Sequence, residues 1–539
     1  MGGTLKPIVN EIPWEVVIPS SFAVSRIHAL TREPNILELT LDRARRIVNY
    51  PFDRAQLSSQ IVAKLSRLNA PAASLQNAAR LGESRSIVVL TGQQPGFLGG
   101  PMYTFFKALH CLVVARELQK QWDGPVIPMF WNHSDDHDID ETRVIHLLDS
   151  RGELHRFSAD FGKGRPFLSD VRFGSDITEK LERIFNILPF GKERTRVMDL
   201  VRVSEGRPLA EFFNHYLLQL FGSRGLVVFE PNDIRNHLSN SLATIVNDVS
   251  AATDRLRARA TEVLKEGFVP AFTDDDPSII YERTELGRER IHFDGKKFLL
   301  ASGQRLDPPE LATLVRAQAA RFTSGVATRL ITELLSIPAV STIRGPAELS
   351  YSPLSQCFLP SEFQARALPV EYPRFSATII DESLVRNINN TEFDIRKLFS
   401  MSREDIRVQF SINKSPIYSN IELLRSHLLS NMNQIKPGVL ALDQNLARPF
   451  EKTISSVSSA IESLLSKIQK ADDERSNINF SRLDKLHSWM LPGGKPQERV
   501  LPAIQFLCDG LESRVQSIMD IISVCPKSHA LVTFQESEI

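Results

Sequence analysis

A chain of 539 residues is too long for one ordinary core, so two to four domains are expected. Lys+Arg 64 balances Asp+Glu 64 at a pI near 7.2, and without a basic excess a nucleic-acid footprint is excluded. Hydrophobic residues at 42% and charged residues at 24% describe a soluble globular protein. It has no run of about 18 apolar residues to cross a membrane and no basic-then-apolar leader in MGGTLKPIVNEIPW.

In chain order, residues 1–84 form an N-terminal segment. Within it, 36–81 read as helices rich in Leu, Ala and Arg, punctuated by Pro51 and Pro71. A core spans 85–381. Ile87–Thr91 is a short β-branched run ending in Gly92, hence a buried strand. Pro101 fits the first helical position after Gly100, and Met102, Phe105, Phe106, Leu109, Leu112 and Val113 keep helical spacing to about Gln121. Val126–Trp131 is the next strand, although Pro128 argues against a fully paired central position. Strand, turn, helix, strand make a βαβ unit with an expected right-handed crossover. Insertions are expected at about 150–220 and 250–325. Gly225–Glu230 is another buried strand, and Ile279–Leu300 alternates around an Asp294-Gly295 hairpin turn. Ala339–Ile343 and Leu368–Tyr372 complete the core. The fold class is therefore α/β.

Beyond Asp381 the texture changes. Phe450, Ile454, Val457, Ile461, Leu464 and Ile468 alternate spacings of four and three, a seam of nearly three heptads. Ile421, Leu424, Leu428 and Ile435 give a partner stripe, with Pro437-Gly438 between. A helical arm over 382–490 follows, either a coiled coil that meets a second subunit or an ordinary two-helix packing. Residues 491–539 return to the core, with a final helix at roughly 499–523. Cys111, Cys357, Cys508 and Cys525 lie far apart without a CxxC pair, which suits reduced thiols in a cytoplasmic protein.

The chemistry-bearing residues cluster after the strands. Gly92, Gly96, Gly99 and Gly100 match neither GxxxxGK[ST] nor GxGxxG, but they permit close backbone approach beside a helix N-terminus suited to phosphates; a tight structural turn is the competing reading. Asn132 to Glu141 packs seven ionisable groups directly after an apolar strand. A metal site, a polar substrate site with His137 held between Asp136 and Asp138, and a solvated acidic loop all remain open. Arg344, Arg374, Ser376 and Thr378 follow later strands, as oxygen-binding groups or as ordinary turn and cap residues.

Taken together, TGQQPGFLGGPMYTFFKA (91–108), PVIPMFWNHSDDHDIDE (125–141), GLVVFEPND (225–233), IRGPAELSYSPLSQ (343–356), VEYPRFSATIID (370–381) and PGGKPQERVL (492–501) resemble the cysteine-adding enzymes of bacillithiol biosynthesis, the BshC family. The resemblance implies a Rossmann-like core similar to class I nucleotidyltransferases, inserted connective segments, and a coiled-coil arm that forms a homodimer. It implies a cysteine ligase that joins L-cysteine through its carboxyl group to the amine of glucosaminyl-malate. On that basis Asp136, His137 and Asp138 are the catalytic candidates, binding amino groups or deprotonating the attacking amine. Thr91, Gly92, Gln93, Gln94 and Gly100, with Tyr103 and Lys107, would hold ATP or another nucleotide, with Mg as a companion ion. Glu348, Tyr351, Arg374, Ser376, Thr378 and Arg499 join the binding set, Arg374 and Arg499 for the malyl carboxylates.

The chain departs from the family pattern at His133 and Asp135, and again at Arg344-Gly-Pro-Ala-Glu348. Two expectations follow: His133→Ala keeps activity while His137→Ala loses it, and Asp136→Asn abolishes activity with little loss of folding. A metal-dependent hydrolase using His133, Asp135 and His137, or a non-catalytic coiled-coil adaptor, is the rival reading.

Overall fold

The computed structural model describes residues 7–534 apart from 163, 274, 276, 364–367, 386–393 and 407–415. The chain divides into two compact units: residues 1–380 with 492–539, and residues 381–491.

The centre of the larger unit is a five-stranded sheet of β1 (Ile87–Gln93), β2 (Val126–Asn132), β3 (Val227–Phe229), β4 (Ala339–Arg344) and β5 (Val370–Pro373). All neighbours are parallel, in the order β3-β2-β1-β4-β5. That order runs outward from β1 on both sides, so the order in which strands are added reverses between β1 and β4, as the expected Rossmann-like core requires. Every residue of β2, β3, β4 and β5 is buried, and so is β1 up to Gly92, which explains their near-continuous apolar runs. Contrary to the expectation for Pro128, β2 is paired on both sides. Pro128 sits just before Met129, Phe130 and Trp131, the three residues that pair with β3, so its missing N–H leaves that ladder intact.

Between β1 and β2 runs α1 (Met102–Gln119), buried almost all round against both strands. Before β4 lies α2 (Val326–Ser336), and after it α3 (Pro346–Ser355), with Pro346 at its first position. A second sheet contains the hairpin 280–284/287–293 and the strands at 298–299, 305–306 and 322–324. The Asp294-Gly295 turn does join 287–293 to 298–299. An additional hairpin turn falls at Glu285-Leu286, where the alternation alone did not show a break.

The expected final helix is instead two short ones, Ile504–Leu507 and Leu511–Ile521, separated by Gly510. They lead to a strand, His529–Phe534, that pairs with Ile8–Ile12 and with Ala377–Asp381.

The smaller unit is a helical hairpin of Pro416–Leu442 and Ala447–Met490. The expected break at Pro437-Gly438 does not occur: Pro437 lies inside the first helix, and the reversal comes at Asp443–Leu446. Phe450, Ile454, Val457, Ile461 and Ile468 are half-buried as a seam; Leu464 turns outward and Leu465 is buried in its place. On the first helix Ile421 is half-buried, whereas Leu424, Leu428 and Ile435 are exposed.

Candidate functional site

A cavity of about 290 Å3 opens beyond the C-terminal ends of these strands, where ligands of open α/β sheets bind. Each wall follows from the topology. Gly92 and Gln93 end β1, His133 and Asp136 follow β2, Arg344 ends β4 with Gly345 after it, and Arg374 follows β5. Helix α1 adds Tyr103 and Lys107, α2 adds Arg329 and Glu333, α3 adds Glu348 and Tyr351, and the C-terminal segment adds Arg499.

The charges are arranged in pairs. Lys107, 3% exposed, donates to Gly92 O (2.9 Å) and Gln93 Oε1 (3.0 Å) and meets Glu348 Oε2 at 2.5 Å. Burial lowers its pKa despite that carboxylate. Glu348 also accepts from Gly345 N–H (2.7 Å); burial alone would raise its pKa, but Lys107 and Arg344 bring it down. Arg344 lies 3.4 Å from Glu333 and 3.5 Å from Glu348. Burial pushes the Glu333 carboxyl upward, more than Arg344 and Arg329 pull it down, and among the described residues its Oε1 has no hydrogen-bond partner. Arg374 grips Glu498 with both arms of its fork (2.9 and 2.5 Å).

Asp136 is the most heavily engaged carboxylate. It accepts from Arg329 (3.0 Å), Arg288 (3.3 Å), Gln94 (3.0 Å) and the His137 N–H (2.8 Å). Burial works against its ionised form, but Arg329, His137 and Arg288 hold its pKa well below the usual carboxylate range. A carboxylate bound this way anchors its neighbours and is a poor proton acceptor. His137 Nδ1 lies 3.0 Å from Arg288 Nη1, which can only donate. The same Nδ1 lies 3.4 Å from Asp136 Oδ1, so the ring is held between the guanidinium and the carboxylate.

The structure separates the expected site residues. Gly92, Gln93, Gln94, Tyr103, Lys107 and Asp136 line the cavity, and so do Glu348, Tyr351, Arg374 and Arg499. His137 and Asp138 face a neighbouring cavity of about 560 Å3 that shares Gln94 and Asp136 with the first. Asp138 caps the turn by accepting from Glu141 N–H (3.1 Å). Thr91 is buried and ties β1 to β4 through Ile343 O (3.1 Å). Ser376 and Thr378 hold the two ring nitrogens of buried His529 (2.7 and 2.9 Å).

Gly100 belongs to a closed turn. A Cβ on Gly96 would sit 2.6 Å from Gly100 Cα, and one on Gly99 would overlap the Tyr216 ring. The helix N-terminus expected to receive phosphate is engaged too, since Met102 N–H donates to Leu501 O (2.8 Å).

Several lining residues escaped sequence reasoning. Arg329 and Glu333 sit one turn apart on α2, a spacing that is ordinary on any solvated helix. His133, expected to be dispensable, lines the cavity where His137 does not. Among the described residues, the one group of His, Cys and acidic side chains close enough to share a metal ion is Asp149, Glu153 and His155, on an outer hairpin. It does not include the 133–141 cluster.

The chain matches the family model described as the N-terminal Rossmann-like domain of bacillithiol biosynthesis BshC over residues 32–375. It matches the model of the C-terminal coiled-coil domain of BshC over 377–534. It is similar to three proteins named "Putative cysteine ligase BshC". That of Halalkalibacterium halodurans is 25% identical, covering 85% of this chain and 86% of the relative. That of Desulforamulus reducens is 26% identical, covering 79% and 80%. That of Koribacter versatilis is 24% identical, covering 89% of each.

Proposed function

We propose, from the premise that this chain belongs to the bacillithiol biosynthesis BshC family, that it is a ligase forming an amide between the carboxyl group of L-cysteine and the amine of glucosaminyl-malate. The observation that carries the reading is Lys107. It is a buried ammonium with depressed basicity, fixed by Glu348 and the end of β1, and it faces a cavity lined by four arginines. Such a site suits carboxyl oxygens and the negative charge that develops on them when an amine attacks.

In this reading Lys107 and Arg344 neutralise that charge. Arg499 carries no ion pair among the described residues, so it is the cation left over for a substrate carboxylate. Arg374, assigned to the malyl group by the sequence, is already satisfied by Glu498 and acts mainly as a wall. Asp136 holds Arg288 and Arg329 in place.

The donor set fits phosphate as well as carboxylate oxygens. ATP or another nucleotide would be held by Lys107, Arg344 and Arg499 rather than by the closed turn at Gly96–Gly100, with Glu141 nearby for a magnesium ion. When bound, it would supply the leaving group that activates the carboxyl. A homodimer through the helical arm belongs to the same proposal, supported by the exposed Leu424, Ile435 and Leu442 on its first helix. No helix among the described residues is long and apolar enough to cross a membrane.

The test is incubation of the purified protein with L-cysteine, glucosaminyl-malate and ATP, scoring the thiol product together with AMP or ADP by mass spectrometry. Accumulation of the cysteinyl amide is expected, and its absence with intact substrates overturns the reading.

A further inference from the structure

Most charged groups around the cavity are taken up by one another: Lys107 by Glu348, Arg329 by Asp136, Arg344 by Glu333 and Glu348, Arg374 by Glu498. His133 is different. It is 7% exposed, its backbone N–H is tied to Gln93 O (2.9 Å), and its ring stacks on Trp131 at 5.8 Å. Among the described residues neither ring nitrogen has a hydrogen-bond partner, and neither is sealed off among the buried orphan atoms. A buried imidazole satisfied only by what enters a cavity is a ligand-facing group.

Gly92 completes the arrangement. A Cβ at that position would lie 2.5 Å from His133 Nε2 and 2.8 Å from Trp131 O, so glycine is what lets the ring lie against the end of β1. The charged groups facing the ring are Arg329 from α2, Lys107 from α1, Arg344 from β4 and Asp136 from its own loop. Burial first, then these cations, keep the imidazole neutral, well below its ordinary pKa. A neutral ring has a lone pair free. An anionic ligand beside Lys107, Arg329 and Arg344 would offset the cations and return basicity to the ring.

We propose that His133 is the proton acceptor of the joining step, and that the anionic substrate itself prepares it by offsetting the three cations around it. The inference rests on the ligase reading above. The amine nitrogen attacks the carbon of a carboxyl that carries a phosphate-type leaving group. The C–N bond forms, the bond to the leaving group breaks with its electron pair, and the N–H proton passes to the free imidazole nitrogen and then to solvent. Nothing is oxidised or reduced. His137 faces the neighbouring cavity, with its Nδ1 held between Arg288 and Asp136, and is not placed at this step.

The experiment compares wild type, His133→Gln and His137→Gln in two readouts. In amide formation, His133→Gln should lose on the order of 10²–10⁴-fold in kcat, with the acidic limb of its pH profile gone. Its KM for glucosaminyl-malate should stay within about tenfold, and His137→Gln should lose far less. In calorimetry near pH 6.5, with malate as the probe and buffers of different ionisation enthalpy, malate binding should take up protons in wild type and in His137→Gln but not in His133→Gln.

A His133→Gln protein with wild-type kcat and pH profile, or with unchanged proton uptake, overturns the proposal. If wild type forms no amide, the ligase reading fails, and malate-linked proton uptake still decides His133. If His133→Gln does not fold, the ring ¹⁵N shifts of His133 in wild type decide: movement toward imidazolium on adding malate supports the assignment, and no movement refutes it.

Discussion

Replacing Asp136 with Asn keeps the shape of the side chain and removes its charge. The sequence alone placed Asp136 in a polar cluster rather than a core and predicted little effect on folding. In the structure it lies between Arg288, whose side chain is 2% exposed, and the half-buried Arg329 in the cavity wall. Removing one partner of a buried pair costs about 3–5 kcal/mol, and the amide's remaining hydrogen bonds put this variant at the lower end, about 3 kcal/mol. With an unfolding entropy of roughly 2.1 cal/mol/K per residue, a unit of this size should lose about 3 °C in Tm.

The sign of the pH dependence follows from the depressed pKa. The ionised carboxylate stabilises the fold fully above the unfolded value near 3.9 and loses that contribution as pH falls through its lower folded value. The Tm gap between wild type and Asp136→Asn should therefore be constant from pH 8 to about 5 and close only below about pH 4. Differential scanning fluorimetry across that range reads it directly. A variant within 1 °C of wild type at neutral pH, or a gap that widens on acidification, would refute the buried-anchor account.

Arg374→Met should cost about 3–5 kcal/mol by stranding buried Glu498, whereas Arg374→Met with Glu498→Leu should recover most of it in thermal melts. Gly92→Ala should suppress amide formation by displacing His133, and adding His133→Ala should recover in Tm only the part lost against the ring, since Trp131 O still stands 2.8 Å from the new Cβ, without restoring activity. Asp at Ile454, Ile461 and Ile468 puts three charges in a half-buried seam at about 1–3 kcal/mol each, and light scattering should report a monomer; a persistent dimer would mean that the seam closes only within its own chain.

The five strands of the central sheet were readable because each is short, almost wholly buried and largely apolar at its start, and stops at a polar or Gly-rich turn. Their C-terminal ends then located the cavity. What the sequence hid was pairing. Glu498 and Arg499 are adjacent in PQER, yet one is locked to Arg374 and the other lines the cavity, a division set by which way the turn faces. His133 and His137 look equivalent four residues apart, until Gly92 and Arg288 fix one ring toward the cavity and the other away from it. His529–Phe534 was missed because six residues without a partner in view carry no period. Pro437 was misjudged as a break because a proline's helix penalty can be outweighed where the surrounding turns are held by a partner helix.

The central claim is that the cavity around Lys107 performs the chemistry, and Lys107→Met tests it most directly, since methionine keeps the unbranched stem, one atom shorter, and removes the charge. With folding verified by thermal melt, the account predicts that formation of the cysteinyl amide of glucosaminyl-malate falls on the order of 10²–10³-fold, the loss typical of removing one charge-stabilising donor. Wild-type product formation by a folded Lys107→Met protein would contradict it.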